Sequence, residues 1–405
     1  YTDGFDDFYK DRFTEDFRDT FPEIVWDLPG GKVSAARYQY HEGISELFTE
    51  SFADTVGVWC ESHHLMLTGH MMEEQTLLSQ TSALGEAMRS YRSFQQPGID
   101  MLCDWREYTT VKQAQSAAHQ YGRPSVASEI YGVTNWDFEF RQHKLQGDWQ
   151  AALGVTRRIP HLSWVSMEGE AKRDYPASIF YQSPWYKEYK MVEDHFARVN
   201  TALMRGKPHV RVGVIHPIES YWIHFGPKEQ TSRIRETMEQ HFQNVTEWLL
   251  FGMIDFDYIA ESLLCEQKKE VEKDSIRIGK MQYDVLLVPG CETLRTSTVE
   301  CLRNFHNAGG AVVFAGETPK YVDAKESSEA VLFAEKCKRI ELDQGELLDA
   351  MEPYREIEIR RPDGKQTSHF LYQMREEGER RWVFIANGKK PQTQDLTDRL
   401  LYRII

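Results

Sequence analysis

The residues best suited to chemistry are carboxylates that close short apolar runs. Glu129 is the clearest, in Pro124-Ser-Val-Ala-Ser-Glu-Ile-Tyr-Gly132, where it ends a short buried strand. An ionised carboxylate in such a place is costly unless it is solvated or partnered. A functional role explains it; so would a charge opening the next helix, or a salt bridge to Arg123 or Arg141. Cleavage of a glycosidic bond needs two carboxyl groups flanking it, one as acid and the other as base or nucleophile, at about 5 Å or about 6.5 to 9.5 Å. Asp3 and Glu73 are the leading partners for Glu129, with Glu74, Asp104 and Glu168 also in reach of the same reasoning. His70 and His161 could donate to sugar hydroxyls or to a carboxylate, although such histidines are as often core residues. Trp105 and Trp164, with Trp136 and Trp185, follow strand ends and could stack on pyranose faces; core packing accounts for them equally.

These residues are positioned by a rhythm of helices and strands. Helical apolar spacing from Tyr40 to Cys60 precedes the run His64–His70, and a second stretch, Leu84 to Phe94, leads through Pro97-Gly98 into Ile99–Asp104. Val111 to Gln120 leads into Ser125–Glu129, and Asp137 to Leu153 into Ile159–Ser163. The strand starts recur every 26 to 35 residues, the pitch of parallel βα units buried on both faces. His70 with Glu73 and Glu74, Asp104 with Arg106, Glu129, and His161 all stand where a strand finishes. Four successive edges carrying polar groups favour a (β/α)8-type barrel, whose site lies at the strand C-termini, over an open doubly wound sheet. Only four strands are clear before residue 206, five if Tyr1-Thr2-Asp3 ends one. Either the barrel is partial, its first strands preceding residue 1, or the sheet is open.

Residues 1–206 are read as the C-terminal part of that barrel, 207–338 as a flavodoxin-like α/β domain, and 339–405 as a β-rich segment. In the second, Val210–Ile215, Tyr283–Pro289 and Gly310–Ala315 are strands, and Arg233–Phe251 and Thr296–Asn307 helices. In the third, Thr367–Met374 and Arg381–Ala386 flank the hairpin turn Glu377-Gly378-Glu379. Cys291, directly after a strand, sits at a nucleophile-elbow-like position, but the elbow glycine and a following His-x-Glu pair are missing. It reads by default as a buried thiol.

Composition narrows the function classes. The 405 residues, 41% hydrophobic and 27% charged, have ordinary globular usage. With 63 acidic against 48 basic side chains the net charge is −15, which disfavours nucleic acid and anionic membranes as partners. Six scattered cysteines with no C-x-x-C pair read as free thiols in a reducing compartment, the cytoplasm. No apolar stretch of membrane-spanning length and no signal peptide is present. His63-His64 is adjacent rather than spaced i, i+4, and no EF-hand loop occurs, so neither a metal nor another cofactor is expected.

The run from His41-Glu-Gly-Ile-Ser-Glu-Leu-Phe through Val58-Trp-Cys-Glu61, Leu67–His70, Pro97-Gly-Ile-Asp100, Ala127–Gly132 and Gly154-Val-Thr-Arg-Arg-Ile-Pro-His161 resembles large bacterial glycoside hydrolases of the α-L-rhamnosidase-like type. By that resemblance Glu129 matches their catalytic Ser-Glu step and His161 the histidine of the next strand. Their Thr-Asp-Glu-Pro would fall on Thr2-Asp3-Gly4-Phe5, where the glutamate is absent. The expectation is a glycosidase acting on a carbohydrate with Glu129 as base or nucleophile. The alternatives are a non-catalytic carbohydrate-binding or oligomerisation module, a homo-oligomer being the protein partnership left open, and a cysteine amidase using Cys291.

Overall fold

The computed structural model describes residues 2–26, 28–170, 175–267, 269–390 and 403–404. The chain has a mixed α/β fold built on two parallel sheets. The first contains β1 (Thr68–His70), β2 (Gln96–Met101), β3 (Val126–Ile130) and β4 (Val155–Pro160), in that spatial order and all parallel. The helices Tyr108–Tyr121 and Phe140–Ala152 lead into β3 and β4, as the apolar spacing predicts. Among the described residues this sheet is open, with β1 and β4 as its edges. The strand expected at the start of the chain does not form. Tyr1 lies outside the described residues, and Asp3 stands in a turn that opens the helix Phe5–Phe13. The reason is aromatic packing: Phe5 and Tyr9 meet Phe17 at ring-centroid distances of 5.2 and 5.3 Å, a cluster that binds this helix to the one over Ala35–Phe48.

The second sheet comprises β5 (Val212–Ile215), β6 (Phe256–Ile259), β7 (Val285–Pro289), β8 (Ala311–Ala315) and β9 (Lys338–Ile340), in the order β9-β8-β7-β5-β6 and again all parallel. Counted along the chain, this is 2-1-3-4-5. The hairpin of β10 (Phe370–Glu377) and β11 (Arg380–Asn387) closes as expected around Gly378, whose φ of 61° a side chain would resist. Among the described residues no helix is long and apolar enough to cross a membrane.

The helix Tyr108–Tyr121 is buried along nearly its whole length between the sheets. Its Lys112 is fully buried and reaches Asp255 at 2.9 Å, His119 reaches Asp257 at 2.9 Å, and the Gln120 amide donates to the Tyr258 carbonyl at 2.8 Å. These three buried polar groups thus have partners across the sheet-to-sheet boundary. Gly98 sets the spacing of β1 and β2: a Cβ there would lie 2.5 Å from the Gly69 carbonyl oxygen, so no side chain fits.

Candidate active site

Parallel pairing places Asp100 of β2 directly opposite Glu129 of β3, near the C-terminal ends of both strands. Side chains paired this way share a face of the sheet. Glu129 is flanked by two imidazoles, His70 Nε2 at 3.8 Å and His161 Nε2 at 3.7 Å. Among the described residues it pairs with no lysine or arginine: Arg141 lies against Glu139, and Arg123 donates to the Arg92 carbonyl. The salt-bridge explanation for its position therefore fails. The Nδ1 of His70 faces the Met71 carbonyl at 2.8 Å, which assigns the proton to that nitrogen and turns Nε2 toward the acids. His161 follows β4 directly, and a Cβ on Gly132 would come within 3.3 Å of its ring, so glycine lets the imidazole lie flat on that loop.

The electrostatics are those of crowded acids. Burial raises the pKa of Asp100, Glu129's charge raises it further, and His70 and His161 oppose both. Its Oδ1 is buried without a hydrogen-bond partner. Glu107 is also raised, first by burial and then by Asp100 and Glu73, while Thr110 donates to it at 3.0 Å. Glu74 is buried beside the Tyr91 hydroxyl, 3.3 Å away, and burial carries its carboxyl up to about 7. Several loops after these strands are strained: Glu73, Cys103, Asp104, Tyr131 and Val133 all take φ between 52° and 76°. Such conformations persist where the surroundings hold them, commonly at binding sites.

The sequence-derived residues separate into two groups. His70, Glu129 and His161 come together, and Glu73 stands exposed on the loop after β1 within electrostatic reach of Glu107. Asp3 and Glu168 are exposed and outside this cluster. Asp104 is drawn away, paired with Arg106 and with Lys390 at 3.4 Å, because β2 ends at Met101 and Asp104 falls beyond it. Trp105 is exposed, whereas Trp164 is buried against Trp136 at 5.7 Å between centroids. Trp136 keeps part of its surface open. Asp100 and Glu107 were not singled out from the sequence; an aspartate inside an otherwise apolar strand was the available signal for the first. No metal motif is legible in the sequence, yet His70, Asp100 and Glu129 offer donor atoms all within 4.8 Å of one another, a set able to hold a cation.

Cys291 offers no rival centre. It is 1% exposed, and burial together with Glu261 and Glu219 pushes its thiol well above the ordinary range, so the nucleophilic thiolate is suppressed.

Several solved structures share this fold. The chain is similar to a rhamnosidase from Novosphingobium sp. PP1Y (TM-score 0.70, 16% identity, covering 94% of this chain and 37% of that one). It is also similar to an exo-carrageenase GH42 from Bacteroides ovatus (0.60, 11%, 95% and 56%). A β-galactosidase from Halorubrum lacusprofundi matches at 0.52 and 13%, covering 81% of this chain and 52% of that one. At these identities the likeness is one of fold. The chain spans well under two thirds of each of these structures. No curated protein matches it significantly. The α-L-rhamnosidase family model matches residues 9–339, and the chain belongs to that family.

Proposed function

We propose that this chain carries part of the active site of a glycoside hydrolase that cleaves α-L-rhamnosides, with Glu129 as general base or nucleophile. The observation that carries this reading is the Glu129 carboxylate itself, half-open at the C-terminal sheet edge, held between His70 and His161 and, among the described residues, without a lysine or arginine partner. Membership of the α-L-rhamnosidase family supports the substrate.

Asp100 and Glu129 stand side by side on one face of the sheet, with donor atoms within 4.8 Å, so they meet a bound sugar from the same side rather than across its glycosidic bond. The part of Asp100 is to share charge with Glu129 and to hold sugar hydroxyls. The proton donor to the leaving oxygen is assigned to Glu73, exposed on the loop after β1. His70 and His161 bind hydroxyls, and exposed Trp105 offers a stacking surface. Asp3 has no part in this arrangement. The four parallel strands with acids at their C-terminal edge support a partial (β/α)8-type barrel, and the 2-1-3-4-5 order of the second sheet supports the flavodoxin-like reading. Six free cysteines support a cytoplasmic setting.

The test is hydrolysis of an aryl α-L-rhamnoside by the chain and by Glu129→Gln. The variant should fold normally and lose about 10²- to 10⁴-fold in kcat, the usual contribution of a positioned acid or base. Unchanged turnover in Glu129→Gln would refute the assignment. Rhamnoside binding without turnover in the wild type would favour a non-catalytic binding module instead.

A further inference from the structure

The opposite end of the strands carries a different chemistry. A cleft of about 780 Å³ lies where the N-terminal approaches to β3, β5 and β7 meet the β10–β11 hairpin, lined by Pro124, Arg211 and Asp284 among others. Pro124 and Glu129 are five residues apart on one strand path, so the cleft and the acid cluster are separated by about 17 Å. In a chain of net charge −15 this lining is basic: it contains seven lysines and arginines against two carboxylates, Asp284 and Glu376.

Three of the seven cations are neutralised locally. Arg211 meets Asp284 at 2.6 Å and Glu356 at 3.2 Å, Arg277 meets Glu270 at 3.6 Å, and Arg381 meets Glu356 at 3.3 Å and Glu376 at 3.7 Å. The other four, Arg123, Lys207, Lys280 and Arg375, have no carboxylate partner among the described residues. Arg375 is the most informative, being only 8% exposed. It donates to the Arg205 carbonyl at 2.7 Å, the Gly206 carbonyl at 2.9 Å and the Gln373 side-chain oxygen at 3.2 Å, all neutral acceptors. Burial alone lowers its pKa to about 10, the sign of a cation held without a counter-charge. Arg123 likewise has a buried Nε with no partner. A buried cation lacking an anion is unfavourable, and guanidinium groups match tetrahedral and planar oxyanions through paired N–H donors. The lining contains no phenylalanine, tyrosine or tryptophan, so it lacks the stacking faces a neutral sugar would use.

We propose that this cleft is a binding site for a multivalent oxyanion, a ligand with two or more phosphate or sulfate groups, recognised by Arg123, Lys207, Lys280 and Arg375 and distinct from the Glu129 cluster. Such groups come either as a small free anion or along a sulfated glycan chain. Isothermal titration calorimetry on the whole chain distinguishes them, with sodium tripolyphosphate as one probe and a heparin-derived hexasaccharide as the other. At least one should bind saturably, and raising the salt should weaken it. Tighter binding of tripolyphosphate assigns the site to the free anion, and tighter binding of the hexasaccharide assigns it to the glycan. The triple variant Arg123→Gln/Lys207→Gln/Lys280→Gln, which spares buried Arg375, should bind at least tenfold more weakly with an unchanged melting temperature. A control with equal charge loss elsewhere, Lys10→Gln/Lys32→Gln/Lys336→Gln, should bind as the wild type does. No saturable binding of either probe, or equal weakening in both triple variants, would overturn the proposal.

Discussion

At the C-terminal edge of β1–β4, Glu129 has two imidazoles within 4 Å and, among the described residues, no arginine. At the corresponding edge of β5–β9 stand the same residue types in opposite circumstances. Glu219 is 2% exposed and bonded to Arg295, which also binds Glu42; Glu42 in turn is gripped by Arg89, and the Tyr38 hydroxyl donates to Glu219 at 3.0 Å. His216 is buried there too, lowered to about 3 by desolvation, with Gln113 at 3.1 Å. The crevice beside Ser220 and Gly290 holds only about 10 Å³. Residue type and strand-end placement are thus not enough to make a site. The difference is whether a cation occupies the carboxylate and whether space remains for a ligand.

The comparison can be broken most forcefully at Arg295. Arg295→Met would leave Glu42 with Arg89 and Arg12 and Glu219 with no cation among the described residues, and should cost about 3–5 kcal/mol of stability, the usual penalty for orphaning a buried charge. Urea unfolding measures it; a loss below about 1 kcal/mol would show that the network is no lock. Arg89 and Arg295 hold Glu42 ionised against its burial, whereas burial lifts Glu219 to about 7 even beside Arg295.

A smaller effect is expected on the open side, at Glu74. Its folded pKa is raised to about 7, so between about pH 4.5 and 7 the folded chain keeps a proton that the unfolded chain has lost. Stability from this group is present below that window and is lost as the pH rises through it. Glu74→Gln should remove this dependence, leaving the wild type about 1–3 kcal/mol more pH-sensitive than the variant between pH 5 and 8. Parallel curves for the two proteins would contradict the burial argument.

The smallest effect belongs to Cys291. Cys291→Ala should change stability by about 1 kcal/mol and leave the proposed rhamnoside hydrolysis untouched, and the native thiol should resist alkylation. Rapid alkylation accompanied by loss of an amidase activity would restore the alternative that its burial argues against.

How far the sequence could be read follows the same contrast. Thr296–Asn307 and the Gly378 hairpin were legible because local spacing and turn chemistry decide them. Glu129 was legible because it ends an apolar strand. Asp100 was not, since the apolar spacing predicts the strand at Ile99–Asp104, with Asp104 at its end, whereas it lies at Gln96–Met101, with Asp100 near its end. The β4 strand was likewise expected four residues late, at Ile159, although His161 still fell at its end. β6 and β9 have no local signature: Asp257 interrupts the apolar pattern of the first and finds its partners, His119 and the Tyr283 hydroxyl, far along the chain, while Lys338 and Arg339 give the edge strand a polar face. The pairing of Glu219 with Arg295, 76 residues apart, has no local signature.

The helix Tyr108–Tyr121 ties these two edges to a common fate. Its lysine and histidine find their counter-ions only on or just before β6, so neither sheet has a finished inner surface without the other. Severing them would strand charges on both halves, which makes the rhamnosidase-family core a poor subject for modular exchange. Any rearrangement that re-aims Glu129 has to be accommodated in loops, because the keel beneath it does not yield.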